Sequence, residues 1–427
     1  MATQQLTIER ASAMSAPTWH FLKMNNATIE IPEGLEVVPR VTVSGPSRIL
    51  GESDVLERAL EDAQKAWEAK HPAPTQEEIA EREAFLAAEA DATYGGTAQS
   101  DYQKRADALE ASRSLSQAFE HGLGAEAAEF LRNVAGERIV VEGEPGQHVD
   151  VGIAVESASG TASVAAIDVI AKSGASVDIR VAVDSPNDDS GASGIAGTTI
   201  RVFADEGSRV GIERVQTLGE GCIDIDDMAL FAQDNAFVTI KQSVLGADAS
   251  FTGLAGDLRG QASCAEVDTR YLGRAAQQRD FNYLLRHHGP RSKCELKANG
   301  VLMDECRKTL RGTIDLIRGC KGAEGSENET VLLIDEGVRN KTVPVILCNE
   351  DDVAGNHGAT IGHIGENQLF YLASRGLSQE EAEAMFAHAV VEQAALDAGS
   401  PKIREAVIRF GERLNPGFAD LFEEEAI

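Results

Sequence analysis

Basic side chains, aromatic rings and cysteines are all in short supply in this 427-residue chain. Lys and Arg number 39 against 69 Asp and Glu, a formal net charge of −30. That balance argues against nucleic acid or an anionic membrane as a partner, because both are held by clustered cations. Six cysteines in so long a sequence do not make a disulfide scaffold, and they point to a reducing, cytoplasmic setting. No apolar run reaches the roughly 18 residues that a membrane helix needs. The opening stretch MATQQLTIERASAMSAPTWH has no basic region followed by an apolar core, so it does not read as a secretory signal. Catalytic signatures are missing as well. G-x-x-x-x-G-K-[ST], H-E-x-x-H, C-x-x-C and G-x-S-x-G do not occur, and no carboxylate pair stands out from the acidic background. The expectation is a protein that is not an enzyme and holds no nucleotide through a P-loop.

What is present falls into three zones. Residues 1–135 read as an N-terminal helical region after an extended start. In SDVLERALEDAQKAWEAKH, Ser53 and Asp54 are candidate N-caps, and Val55, Leu56, Leu60, Ala63 and Trp67 share one helical face. Two further helices are expected over 72–92, with Thr75 as cap, and over 100–123. Residues 136–355 change texture, with short Val/Ile segments between Gly, Asn, Asp and Ser. Four of them, GQHVDVGIAV, GASVDIRVAV, GSRVGIERV and NAFVTIKQSV, align on Val149, Val177, Val210 and Val238, at intervals of 28, 33 and 28 residues. Alternation with period two means strands with one buried face. A recurring interval of this size means stacked coils, a β-solenoid. A β-sandwich is the rival, since it also gives many short strands.

Residues 356–427 read as a C-terminal helical domain. Ser378 and Glu381 have capping-box spacing ahead of a stripe of Ala382, Met385, Phe386, Ala389 and Val390. Ser400 and Pro401 open a second helix whose face carries Ile403, Val407, Phe410 and Leu414.

Candidate chemistry is thin. Cys306, Cys320 and Cys348 lie 14 and 28 residues apart, so neighbouring coils could stack them as metal ligands; lone cysteines equally serve as small buried hydrophobes. His357, between Asn356 and Gly358, leaves the β zone and is either a structural histidine or one able to ligate metal and carry protons near neutrality. His363, His287 and His288 have less context still.

Two longer stretches carry more information: RHHGPRSKCELKANGVLMDECRKTLRGTIDLIRG (286–319) and NHGATIGHIGENQLFYLASRGLS (356–378). Together with the helical tail they resemble the SufB/SufD family of iron–sulfur cluster assembly proteins. The resemblance implies a mostly β fold, a right-handed parallel β-helix core flanked by N-terminal and C-terminal helical domains. It further implies pairing of this core with a SufB-like β-helix protein, docking of a SufC-like ABC ATPase on the C-terminal region, and a homodimer as the form in isolation. No tightly bound cofactor is implied, only a transient iron–sulfur cluster or iron at the partner interface. His357-Gly358-Ala359-Thr360 matches the SufD-type pattern, where SufB-type chains read His-Glu-Ala-Thr. Glu329 stands near the position of a SufB cysteine, and Gly355 stands where some SufD chains have one. The resemblance thus marks His357 and Gly358 as the cluster-assembly interface, with His357 as a candidate metal ligand. It leaves Cys348 and Cys264 as candidates for handling iron or sulfur. In QLFYLASRG it marks Gln368, Phe370, Tyr371, Arg375 and Gly376 as SufC docking residues, although Leu369, Phe370 and Leu372 could instead seat the helices on the β-helix. A SufB-like homodimeric scaffold and a carbohydrate-active β-helix enzyme remain the alternatives.

Overall fold

The computed structural model describes residues 2–18, 20–51, 54–70, 80, 119–185 and 194–422. The helices expected over 72–92 and 100–123 fall almost wholly outside these residues, as do Ser53 and Thr75.

The chain begins with five short strands, β1 (Leu6–Ala11), β2 (Ala27–Ile31), β3 (Glu36–Val37), β4 (Val41–Ser44) and β5 (Arg48–Leu50), then helices α1 (Val55–Lys70) and α2 (Ala125–Ala135). Eight coils of two strands follow, and the valine spacing explains their geometry. The first coil is β6 (Arg138–Gly143) and β7 (His148–Glu156), the second β8 (Thr161–Ala171) and β9 (Ser176–Asp184), the third β10 (Gly194–Ala204) and β11 (Arg209–Thr217), the fourth β12 (Cys222–Ala232) and β13 (Phe237–Val244). Then come β14 (Ala249–Leu258) and β15 (Cys264–Gly273), β16 (Gln278–His287) and β17 (Lys293–Leu302), β18 (Arg307–Leu316) and β19 (Glu324–Leu333), and finally β20 (Arg339–Cys348) and β21 (Ala354–His363). From β6 onward, even-numbered strands stack in parallel into one sheet, odd-numbered ones into a second. Consecutive strands alternate between sheets, which is a solenoid and not a sandwich.

Val149, Val177, Val210 and Val238 are direct register partners across β7, β9, β11 and β13. The ladder continues through Ala265, Cys294, Gly325 and Gly355. These positions and every second residue after them face the interior, where the main apolar core lies. Burying each coil on its neighbour supplies the cohesion that one coil alone lacks.

Both outer faces are partly covered. The antiparallel β1–β2 pair and α2 pack Ile8, Ile29, Ile31 and Leu131 against Val164, Ile195, Ile225 and Phe251 of the first sheet. Leu56 and Leu60 of α1 are buried against the same sheet beside Val140, Ile170, Phe203 and Phe231. The described part of the N-terminal region is therefore mixed, not mainly helical: β3, β4 and β5 are too short to show alternation and exist as pairing partners of solenoid strands.

Beyond β21 come α3 (Glu366–Ser374), α4 (Gln379–Leu396) and α5 (Pro401–Leu414). Ser378 and Glu381 form the expected capping box, and the Ser400 hydroxyl accepts from the Ile403 amide 3.3 Å away. Ile403, Val407 and Phe410 are buried as expected; in α4 the expected Ala382 is buried and Phe386 and Val390 pack partly buried, joined by Ala387, Val391, Ala394 and Ala395, while Met385 is exposed. The helices fold back over the second sheet's outer face, against Ala182, Val215, Leu245 and Leu272. Small alanines let α4 approach that surface closely, so Met385 is turned away from it. The β structure also runs past residue 355, because β21 continues to His363 and the first helix after it starts at Glu366.

Candidate functional site

The eighth coil ends the solenoid without a lid among the described residues. β20 and β21 are the terminal strands of their sheets, so each leaves one row of backbone N–H and C=O groups unpaired. The interior row is open as well: Ile346 and Ile361 face the core direction yet are 39% and 47% exposed. His357 belongs to this row. It is the fourth residue of β21, within a strand and not in a turn; its Gly and Asn neighbours are tolerated because the register with β19 holds the backbone extended.

The interior column that contains His357 shows how the site arises. From the first coil it reads Val151, Ile179, Ile212, Ile240, Val267 and Leu296, then Glu327 and His357. Six apolar layers thus give way to a carboxylate and an imidazole. Glu327 is 4% exposed. Its Oε2 lies 3.9 Å from His357 Nδ1, and its Oε1 is buried with no hydrogen-bond partner. The carboxyl lies over Gly312, where a Cβ would come within 2.5 Å of it; any other residue there would expel it. Burial, then the neighbouring Glu329 charge, pushes the Glu327 carboxyl up to about 7, against a smaller opposite pull from Lys308.

Beside it runs a hydrogen-bonded polar network. Lys308 is ion-paired with Glu329 and also donates to Thr342 Oγ1 at 3.1 Å. Thr342 donates to Glu329 Oε2 at 2.6 Å, and Tyr271 to Glu329 Oε1 at 3.1 Å. Tyr271 reaches across two coils because Gly300 leaves room for its ring, which would stand 2.0 Å from a Cβ there. Deeper in, Arg214 pairs with Asp224 and Asp226, and Gln242 and Tyr283 extend that network. Nothing in the valine periodicity announced this polar interior. Glu327 lies thirty residues before His357, one coil away and in phase with the valine ladder, and carrying that ladder to the last coil would have found it.

The other anticipated residues are dispersed. Gly358 faces outward beside Asn328. Cys348 is exposed at the end of β20, stacked on Leu316, with its thiol 3.3 Å from the Glu350 carbonyl. Cys264 begins β15, three coils and about 14 Å from β21 along the axis. Burial pushes its thiol up to about 11. Cys306 and Cys320 are buried and do not stack beneath Cys348, whose register partner is Leu316. Among the described residues no three His, Cys, Asp or Glu side chains converge to hold a metal. His287, one of the histidines with little sequence context, is buried, with its ring contacting Ser292 Oγ at 2.8 Å and Cys294 Sγ at 3.1 Å inside the core. Its pKa is lowered to about 4 by burial, and burial lifts Cys294 to about 12, so both are neutral and the pair is a hydrogen bond within the packing.

On α3, Phe370 and Tyr371 are 76% and 56% exposed. Arg375 lies 5.2 Å over the Tyr371 ring. Gln368 and Gly376 have local duties: the Gln368 side chain accepts from the Gly365 amide at 2.9 Å, and Gly376 at φ +94° follows the helix in a conformation that favours glycine.

Residues 152–390, more than half of the chain, match the SufBD core domain of the SUF system for iron–sulfur cluster assembly. The chain belongs to this family. It is 32% identical over 127 residues to the iron–sulfur cluster assembly protein SufD of Bacillus subtilis, covering 30% of this chain and 29% of that one. SufD of Escherichia coli matches at 30% identity over 118 residues, covering 27% and 28%. SufB of Bacillus subtilis matches at 26% identity over 135 residues, covering 32% and 29%. The matched segments thus span less than a third of each of these curated relatives. No described helix is long and apolar enough to cross a membrane.

Proposed function

We propose that this chain is a non-catalytic, SufD-like subunit that meets a SufB-like β-helix protein at the open eighth coil and presents His357 to a nascent cluster there. The observation that carries this reading is the uncapped end itself: two unpaired strands, exposed Ile346 and Ile361, and an imidazole in the last interior row. A second parallel solenoid would pair its backbone with β20 and β21 and cover those side chains. In isolation a second copy of this chain would occupy the same edge. The iron–sulfur cluster is cargo, held between two proteins, with the imidazole supplying one nitrogen ligand and the partner supplying thiolate and carboxylate.

Phe370 and Tyr371, with Arg375 beside them, form the surface for a SufC-like ATPase. α3 joins the open end to the helices on the second sheet, so force applied there reaches β21 through a two-residue connection. A polysaccharide-cleaving β-helix uses an exposed outer groove; here α4 and α5 cover part of the second sheet's outer face.

The test is co-expression with a SufB-like and a SufC-like protein. All three should co-purify, and His357→Ala should leave assembly intact while cluster formation on the complex falls. Cluster formation at the wild-type level on a normally assembled His357→Ala complex would refute the histidine's role. Failure of the three to associate would refute the subunit reading.

A further inference from the structure

The polar groups enclosed at the open end are not all partnered. Lys308 is neutralised by Glu329, to which it is ion-paired with both side chains 0% exposed. Glu327 is then a second carboxyl group with no cation of its own: its Oε1 has no partner, although the residue is only 4% exposed. A buried carboxyl oxygen left unpaired is destabilising, and interiors retain such groups where a ligand completes them. The nearest group that can share a ligand with it is His357, directly above in the register. The Glu327 Oε2 to His357 Nδ1 separation of 3.9 Å is too long for a hydrogen bond. It suits two donors bound to one divalent first-row cation: with each donor about 2.1 Å from the metal, two ligands lie between about 3 and 4.2 Å apart. Carboxylate oxygen and imidazole nitrogen are the donor types that hold Fe²⁺, and His357, in the uncovered last row, gives a cation access to the buried Glu327 carboxyl beneath it.

We propose that Glu327 and His357 form a divalent-cation site within this chain, so that the chain takes up Fe²⁺ on its own, before a partner supplies further ligands. This rests on the reading of His357 as a cluster-assembly residue and extends it by naming a second ligand and an order of events: iron first, partner and sulfur later. The weak two-donor set leaves positions open for the incoming ligands and lets the ion pass into the cluster. No redox step is involved; the ion enters and leaves as Fe²⁺.

The experiment uses the full-length chain alone, under anaerobic conditions. Fe²⁺ binding is measured by competition with a chromophoric chelator, and Co²⁺ serves as a spectroscopic probe of the ligand field. Wild type should bind one cation per chain, with Co²⁺ bands typical of nitrogen and oxygen ligands. Glu327→Gln keeps the shape and removes the charge, and should weaken binding by tenfold or more. His357→Ala should do the same and change the Co²⁺ bands. Glu327→Asp retains the charge but withdraws the oxygen, and should fall between wild type and Gln, a grading that loss of folding would not produce. Absence of binding by wild type, or equal affinity in wild type and Glu327→Gln, would overturn the proposal. If that happens while the three proteins still co-purify and His357→Ala still impairs cluster formation, the subunit reading stands and only the iron-first order falls.

Discussion

At its first coil the solenoid is closed, and at its eighth it is open. β4 and β5 run antiparallel along parts of the edges of β7 and β6, so the first coil is paired over Gly152–Val155 and Arg138–Val140. No described strand lies beyond β20 and β21. The interior changes in step. Near the closed end the column of His357 is Val151, Ile179 and Ile212, all buried; at the open end it is Glu327 and His357. An end that is only structural is finished with pairing strands and aliphatic side chains. The other end keeps exposed isoleucines, unpaired edges and a carboxylate without a partner, features that destabilise a lone chain and make sense when something docks on them.

The comparison can be broken by substitution. The largest effect is expected where the polar interior is left half-paired: Lys308→Met strands Glu329 in the core and should cost about 3–5 kcal/mol in a urea titration. Little change there would mean that the network is solvated and the end looser than described. Next comes a matched pair of truncations. Ile179→Ala, in the closed half, should cost about 2–5 kcal/mol, and Ile361→Ala, at the open end, less than about 1 kcal/mol; equal costs would show that the last coil is covered within the chain itself. The double variant Ile346→Asp and Ile361→Asp should leave melting nearly unchanged while weakening partner or self-association by about 2–3 kcal/mol, on the order of a hundredfold. Retained association would place the interface elsewhere.

The smallest effect concerns protons. Folded Glu327 titrates near 7 against an ordinary value of 4.5. Between those values the folded chain binds more protons than the unfolded one, so this group's stabilisation is complete below about 4.5 and is lost as pH rises through about 7. Glu327→Gln should therefore lose less stability than wild type over that interval, read as the difference between two melting-temperature curves.

How much of this was legible beforehand follows from which residues carry the ladder. The early coils place Val149, Val177, Val210 and Val238 in one column, and β-branched residues at a fixed interval are visible in the bare sequence. In later coils the same column holds Ala265, Cys294, Gly325 and Gly355, which say nothing about strand phase. The pattern therefore faded where the site begins, and β21 read as a turn leading to helices. His357 stood out through its flanking residues; Glu327 did not, because one acidic residue among 69 has no signature until its register partner is known. The helices after residue 378 are readable from their caps, and of the α4 stripe Ala382 is buried and Phe386 and Val390 pack on the core while Met385 is exposed.

Amide hydrogen exchange along Ala354–His363 tests the central claim most directly. It should be followed in the dilute isolated chain and in the chain assembled with a SufB-like partner. Rapid exchange of the outward-pointing amides of β21 is expected when the chain is alone and strong protection on assembly, with Gly152–Val155 of β7 protected in both states. Equal exchange of β21 in the two states, in a complex shown to have formed, would contradict it.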